Sequence, residues 1–383
     1  MAIRIPVSQE ILNWAVQQSA HMGHLKTLPL LKEWQEGKKI PTYKQIQNVS
    51  DETRIPFGYF FLKTPPKEKK ELLEFRTIES KALQPVSRDL LDTITDMERI
   101  VFWTKSTLIS EGFGRHRFVG RFTIDEKLQT VVRSVRESLK LEEDWFTKSK
   151  GPRDSFNRLR AAMEKIGILI LMDGVVRNNT RRVLDVSEFR AFAIADEYAP
   201  LIFINRRDSE GGKLFSLLHE CVHLVVGSNH LLDVGVQGDQ KAQPLEGFCN
   251  AVTAEILVPL HLFDMFWKEC TVDDVQEKIR QGSEYFSCST SVIAHRALET
   301  NKINRNEYQQ CVDEAIRNFQ KKNEVSGKAN FYSLLYSRMD SRFFSLLYNS
   351  VMAGKTSYTE AFRLTHTNLV TFEVYAQKLG LST

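Results

Sequence analysis

The chain has 383 residues, 42% hydrophobic and 26% charged, with a net charge of +4 from 52 Lys and Arg against 48 Asp and Glu. That length exceeds one ordinary domain, and the composition excludes disordered and collagen-like chains. The near-balanced charge does not by itself indicate nucleic-acid binding, and no apolar run approaches the roughly 20 residues needed to cross a bilayer.

In chain order, residues 1–62 read as a small helical unit. Ile11, Leu12, Trp14, Ala15 and Val16 mark one amphipathic stretch, and Leu28, Leu30, Leu31 and Trp34 a second. Pro29 is expected to interrupt a helix there. After the turn at Glu36–Thr42, helical spacing resumes over Tyr43–Thr53, with Thr42 as the predicted N-cap. The opening residues show no charged flank followed by an apolar run and a small-residue cleavage site, so no secretory signal is expected.

Residues 63–84 begin with Pro65-Pro66 and a Lys/Glu run and read as a linker. Residues 85–165 read as a helical connecting region. A core at 166–262 follows, in which the apolar runs at 167–172, 189–194 and 201–204 read as strands. Residues 213–226, opened by Gly211-Gly212 and stopped by Gly227, read as a helix. Residues 263–383 look helical, with breaks near 282 and 326–328. The fold class expected is α+β, a small sheet with a central helix between helical flanks.

The chemistry concentrates in His219-Glu220-Cys221-Val222-His223. Residues four apart lie about 40° apart around a helix, so both imidazoles project from one face and can grip one Zn²⁺. Glu220 stands one position on, where a carboxylate can take a proton from a water beside the metal. Flanking Leu217-Leu218 and Leu224-Val225-Val226 bury this helix, and two histidines there without partners would be costly.

A catalytic zinc needs a third protein ligand. His230 completes HExxHxxxGxxH, one residue too late for the usual spacing, and is otherwise a loop histidine or a donor to a developing oxyanion. Glu246, on the following helix, is preferred, with Asn250 one turn on as a partner behind it. Glu255 reads as a solvated residue. Cys221 faces away from the histidines, and Cys249 reads as core. Five cysteines with no CxxC pair suggest reduced thiols and a cytoplasmic setting.

The HExxH helix followed by Glu246, Asn250, Leu257 and Pro259 resembles the ImmA/IrrE family of metallopeptidases. So do Phe189-Arg190-Ala191-Phe192 and Ala199–Asn205 before it. Residues 1–62, through Trp34–Gly37, Pro41-Thr42, Gln45 and Pro56–Leu62, resemble the Xre-type helix-turn-helix unit of long family members. The resemblance implies a zincin-like core in which His219, His223 and Glu246 hold zinc and Glu220 is the base. It implies an endopeptidase that cuts a repressor or antitoxin, in a mobile-element, prophage or toxin–antitoxin setting. It also implies a sheet edge along which an extended substrate pairs.

The competing expectation is a DNA-binding regulator or antitoxin whose protease-like domain binds a partner without cutting it. Residues 1–62 hold seven Lys and Arg against five Asp and Glu, which leaves DNA contact through them an open expectation. A homodimer is likewise left open.

Overall fold

The computed structural model describes residues 3–19, 28–66, 87–226, 242–324 and 338–381. They fall into two units. The first draws on Met1–Lys70, Glu79–Asp96 and Val175–Leu184, the second on Met97–Gly174 and Asp185–Thr383.

In the first unit, helices α1 (Gln9–Ser19), α2 (Leu28–Gln35) and α3 (Tyr43–Thr53) enclose a core of Ile11, Leu12, Ala15, Leu31, Trp34, Ile46, Val49, Ile55 and Phe60. Thr42 and Gln45 form a reciprocal capping box that starts α3. Pro29 does not break α2. It occupies the first turn, where a missing N–H costs nothing because that donor has no helical partner anyway.

The same unit includes the first part of α4 (Arg88–Ser110), through Asp96, and a hairpin of β2 (Val175–Val176) and β3 (Asn179–Val183). The two-residue turn Arg177-Asn178 has positive φ at both positions, 49° and 61°, the geometry that matches strand twist in tight hairpins. Asp89, Asp92 and Asp96 lie along one face of α4 and are buried. Arg182 reaches Asp89 at 2.8 Å and Asp92 at 2.7 Å. Arg177 grips Asp96 through two nitrogens at 2.7 and 2.8 Å. Arg88 pairs with Asp92, and Arg54, the left-handed C-cap of α3, pairs with Asp89. Each buried carboxylate thus has a guanidinium, without which its desolvation would be uncompensated.

The second unit is built on a three-stranded sheet of order β1 (Leu169–Asp173), β5 (Leu201–Asn205), β4 (Ala191–Ile194). β1 runs parallel to β5, and β4 antiparallel. All five residues of central β5 are buried, as expected of a strand covered on both faces. Helices α5 (Leu128–Leu139), α6 (Pro152–Ile166) and α7 (Glu210–Val226) share the core with the sheet. Then follow α8 (Ala242–Leu257), α9 (Leu260–Glu269), α10 (Val275–Tyr285), α11 (Thr290–Glu299) and α12 (Arg305–Glu324). Last come α13 (Ser341–Met352), α14 (Tyr358–Thr365) and α15 (Leu369–Lys378). Among the described residues no single helix is long and apolar enough to cross a membrane.

Three expectations need correction. Residues 111–127, expected within a helical region, contain no helix. Gly282 does not mark a break but sits inside α10, where a Cβ would lie 2.9 Å from Ile293 Cγ2 and 3.2 Å from Phe266. It is there for close packing. Glu255 is not a solvated residue: its carboxylate lies 2.9 Å from the guanidinium of Arg296, whose own side chain is only 4% exposed.

In the outer strand β1, the backbone of Ile170 is engaged by side chains of the same unit. Asp340, the N-cap of α13, accepts from Arg342 and Phe343 N–H at 2.9 Å and, with its other oxygen, from Ile170 N–H of β1 at 3.2 Å. Arg160 donates to the Ile170 carbonyl at 3.3 Å, so both backbone groups of Ile170 are met by side chains. All four residues of β4 are buried. Burial pushes the Asp340 carboxyl above its usual range although three backbone N–H groups and Arg160 oppose the shift.

Replacing Asp340 with Ala removes a cap worth about 1–2 kcal/mol and orphans a buried N–H at about 1–3 kcal/mol. Urea unfolding should therefore show a loss of about 3 kcal/mol, with Asp340→Asn, which keeps the cap acceptor, losing less. Equal losses in the two variants would contradict the capping account.

Candidate metal centre

Helix α7 starts at Ser209, whose hydroxyl accepts from Gly212 N–H at 3.0 Å and whose carbonyl accepts from Lys213 N–H at 2.9 Å. A Cβ on Gly211 would lie 2.4 Å from Ser289 Cβ, and one on Gly212 at 2.4 Å from the Asp208 carboxylate. Glycine at both positions lets the first turn of α7 lie flush against its neighbours. From Leu214 onward nearly every residue of the helix is buried, so the charged groups it carries must serve each other or a ligand.

His219 and His223 are 0% and 6% exposed, with ring centroids 4.6 Å apart. Their Nε2 atoms approach to 2.9 Å. Helix α8 packs against α7 through Leu245, Cys249, Val252 and Ile256, which belong to the same core, and this packing brings Glu246 over the histidine pair. Glu246 Oε2 lies 3.2 Å from His219 Nε2, and Oε1 lies 3.1 Å from His223 Nε2. Burial opposes ionisation of Glu246, but the two imidazoles beside it, His219 and His223, outweigh it and hold the carboxyl well below the usual carboxylate range.

Three donor atoms from two helices thus face a common point, a grouping able to hold a metal ion. Tetrahedral zinc with bonds of about 2.0–2.1 Å keeps its donors roughly 3.4 Å apart. The observed separations of 2.9–3.2 Å fall just short of that, so the donor set fits after slight opening. Two nitrogens and a carboxylate oxygen are also a donor set that zinc accepts in catalytic sites. The Glu246 side chain is 39% exposed against 1% for His219, so the centre is closed on the α7 side and open toward solvent beside Glu246.

Glu220 is 1% exposed and lies on α7 next to His219. Phe215, one turn before His219, stacks on its ring at 5.9 Å. Asn250 lies one turn beyond Glu246, and among the described residues its buried Oδ1 has no hydrogen-bond partner. His230 lies outside the described residues. Cys221 is fully buried, and burial pushes its thiol up.

Sequence reasoning missed a contact of Cys249. It is in the core, as expected, but its sulfur also lies 3.7 Å from His223 Nδ1. The signal was present: Cys249 is three residues beyond Glu246, so both share one face of α8.

Residues 163–298, from the end of α6 through most of α11, match the family model Peptidase_M78, described as the IrrE N-terminal-like domain. The ImmA/IrrE resemblance therefore holds over that segment. Residues 339–378, spanning α13 to α15, match DUF8813, a domain of unknown function. No curated protein matches the chain.

Proposed function

We propose that the protein is a zinc-dependent endopeptidase that hydrolyses a protein partner such as a repressor or antitoxin, a reading supported by the match of residues 163–298 to the IrrE N-terminal-like domain. The observation that carries the reading is the convergence of His219, His223 and Glu246 on one point with an open side. Zinc held there would polarise a scissile carbonyl and lower the pKa of a water.

The residues of the chain supply the rest. His219 and His223 are presented in fixed orientation by a buried helix, and Glu246 closes the triangle while leaving its solvent side accessible. Glu220 is the proton acceptor and later delivers that proton to the departing amine. Its burial keeps it out of competition with bulk water as a base.

This proposal gives the N-terminal helices no DNA-reading role. The exposed positions of α3 are Tyr43, Lys44, Gln47, Asn48 and Asp51, one cation against one anion. Phosphate attraction rises with the number of cations engaged, and this face offers little of it.

The test is metal content and cleavage measured together. The purified protein should bind one zinc per chain and cut the product of an adjacent gene, and a chelator should stop cleavage. Glu246→Ala should weaken zinc binding by about 100-fold or more, since loss even of a group behind a ligand costs about 10–100-fold. A wild-type protein that takes up no zinc, or a metal-free one that cuts at full rate, would sink the proposal. A stable complex without fragments, in zinc-loaded protein, would favour the regulator reading instead.

A further inference from the structure

We infer that Cys249 is a positioning residue of the metal centre: its sulfur accepts a hydrogen bond from the Nδ1–H of His223 and so keeps the Nε2 lone pair turned toward His219 and Glu246. The inference rests on the zinc reading of the site and adds a residue that the motif does not contain.

The geometry is specific to the two edges of one ring. His223 Nε2 lies 2.9 Å from His219 Nε2 and 3.1 Å from Glu246 Oε1, on the donor side. Its Nδ1 lies on the other edge, 3.7 Å from Cys249 Sγ, a separation compatible with an N–H···S hydrogen bond. The sulfur therefore cannot ligate the same ion as Nε2, which answers why a soft ligand so near the site is not a fourth donor.

A neutral imidazole carries a single ring proton. For Nε2 to offer a lone pair, that proton must sit on Nδ1, and a buried N–H needs an acceptor. Histidines that bind metals nearly always donate this other N–H to a carboxylate, carbonyl or water. At His223 a thiol stands in that place. Cys249 is fully buried, so it holds this position without competition from solvent. Helix α8 thereby contributes twice, with Glu246 to the ion and with Cys249, on the same face, to the ring behind it.

The rival account makes Cys249 a small core hydrophobe. The two accounts order the same variants oppositely. Cys249→Val keeps an apolar core but removes the acceptor, whereas Cys249→Ser keeps an acceptor but buries a hydroxyl in apolar surroundings. Zinc affinity by competition with a chromogenic chelator, and melting of the metal-free proteins, are the two readouts. The expected result is zinc binding about 10- to 100-fold weaker in Cys249→Val and Cys249→Ala and within about threefold of wild type in Cys249→Ser. Melting of the metal-free proteins should run the other way, with Val above Ser.

Zinc affinity that follows melting, with Val binding as tightly as wild type or Ser as weakly as Val, overturns the inference and leaves the peptidase reading standing. A wild-type protein that fails to take up zinc overturns both.

Discussion

Glu220→Gln is expected to retain zinc at the wild-type level and to cleave its partner about 10²- to 10⁴-fold more slowly, the range that general acid–base catalysis supplies. The carboxamide has nearly the shape of the carboxylate but no lone pair basic enough to take a proton from water. Glu220 is itself only 1% exposed, so a dissolved buffer base does not take over its position. Removing a buried negative charge should not unfold the helix, because desolvation penalises the ionised form. Zinc content and single-turnover cleavage, measured on one preparation, separate chemistry from metal loss. Glu220→Asp is the companion variant: it keeps a base but withdraws it by one methylene, so it should fall between the two. A zinc-loaded Glu220→Gln protein that cuts at more than about a tenth of the wild-type rate would remove Glu220 from the mechanism.

What was legible in the sequence is what depends on local spacing. The histidine pair follows from a four-residue step on a helix, the Thr42 cap from a threonine at the helix boundary after Pro41, and the three strands from short apolar runs. Glu246 required one further assumption, that the next helix packs against the first, and α7 and α8 do pack so.

The illegible features are the long-range ones. Nothing in the sequence marks Asp89, Asp92 and Asp96 as buried, because apart from Arg88 their guanidinium partners, at 54, 177 and 182, are far away in sequence. The β2–β3 hairpin has a strand of only two residues, too short for alternation to register, and a turn without glycine. Cys249 was ambiguous in a different way. Its spacing from Glu246 was visible, but a buried thiol is normally just a small hydrophobe, and only the position of the His223 ring distinguishes the two.

Glu255 belongs to the long-range group, and it leads to the largest stability effect expected outside the metal centre. Arg296, on α11, donates to the Val258 carbonyl at 3.1 and 2.7 Å, to Glu255 at 2.9 Å and to Glu299 at 2.8 Å. Helix α8 ends at Leu257 and α9 starts at Leu260, so the guanidinium ties the junction between them and satisfies a carbonyl that a helix end leaves without a partner. Arg296→Ala leaves Glu255, at 13% side-chain exposure, with only the Leu260 N–H at 3.3–3.4 Å and strips that carbonyl of its guanidinium, and loss of one partner of a buried pair costs about 3–5 kcal/mol. Urea unfolding measures the loss directly. Arg296→Lys should recover only part of it, since an ammonium cannot reproduce the planar fork that binds carbonyl and carboxylate together. Arg280 supplies the control: it makes comparable contacts to Glu277 and Glu284, but with a side chain 54% exposed, and its replacement should leave the unfolding midpoint unmoved. Helix α8 carries Glu246, so the Arg296→Ala protein should also bind zinc less tightly while keeping every ligand. Equal midpoints for the Arg296 and Arg280 variants would show that burial at the α8–α9 junction contributes nothing to holding the metal-bearing helix in place.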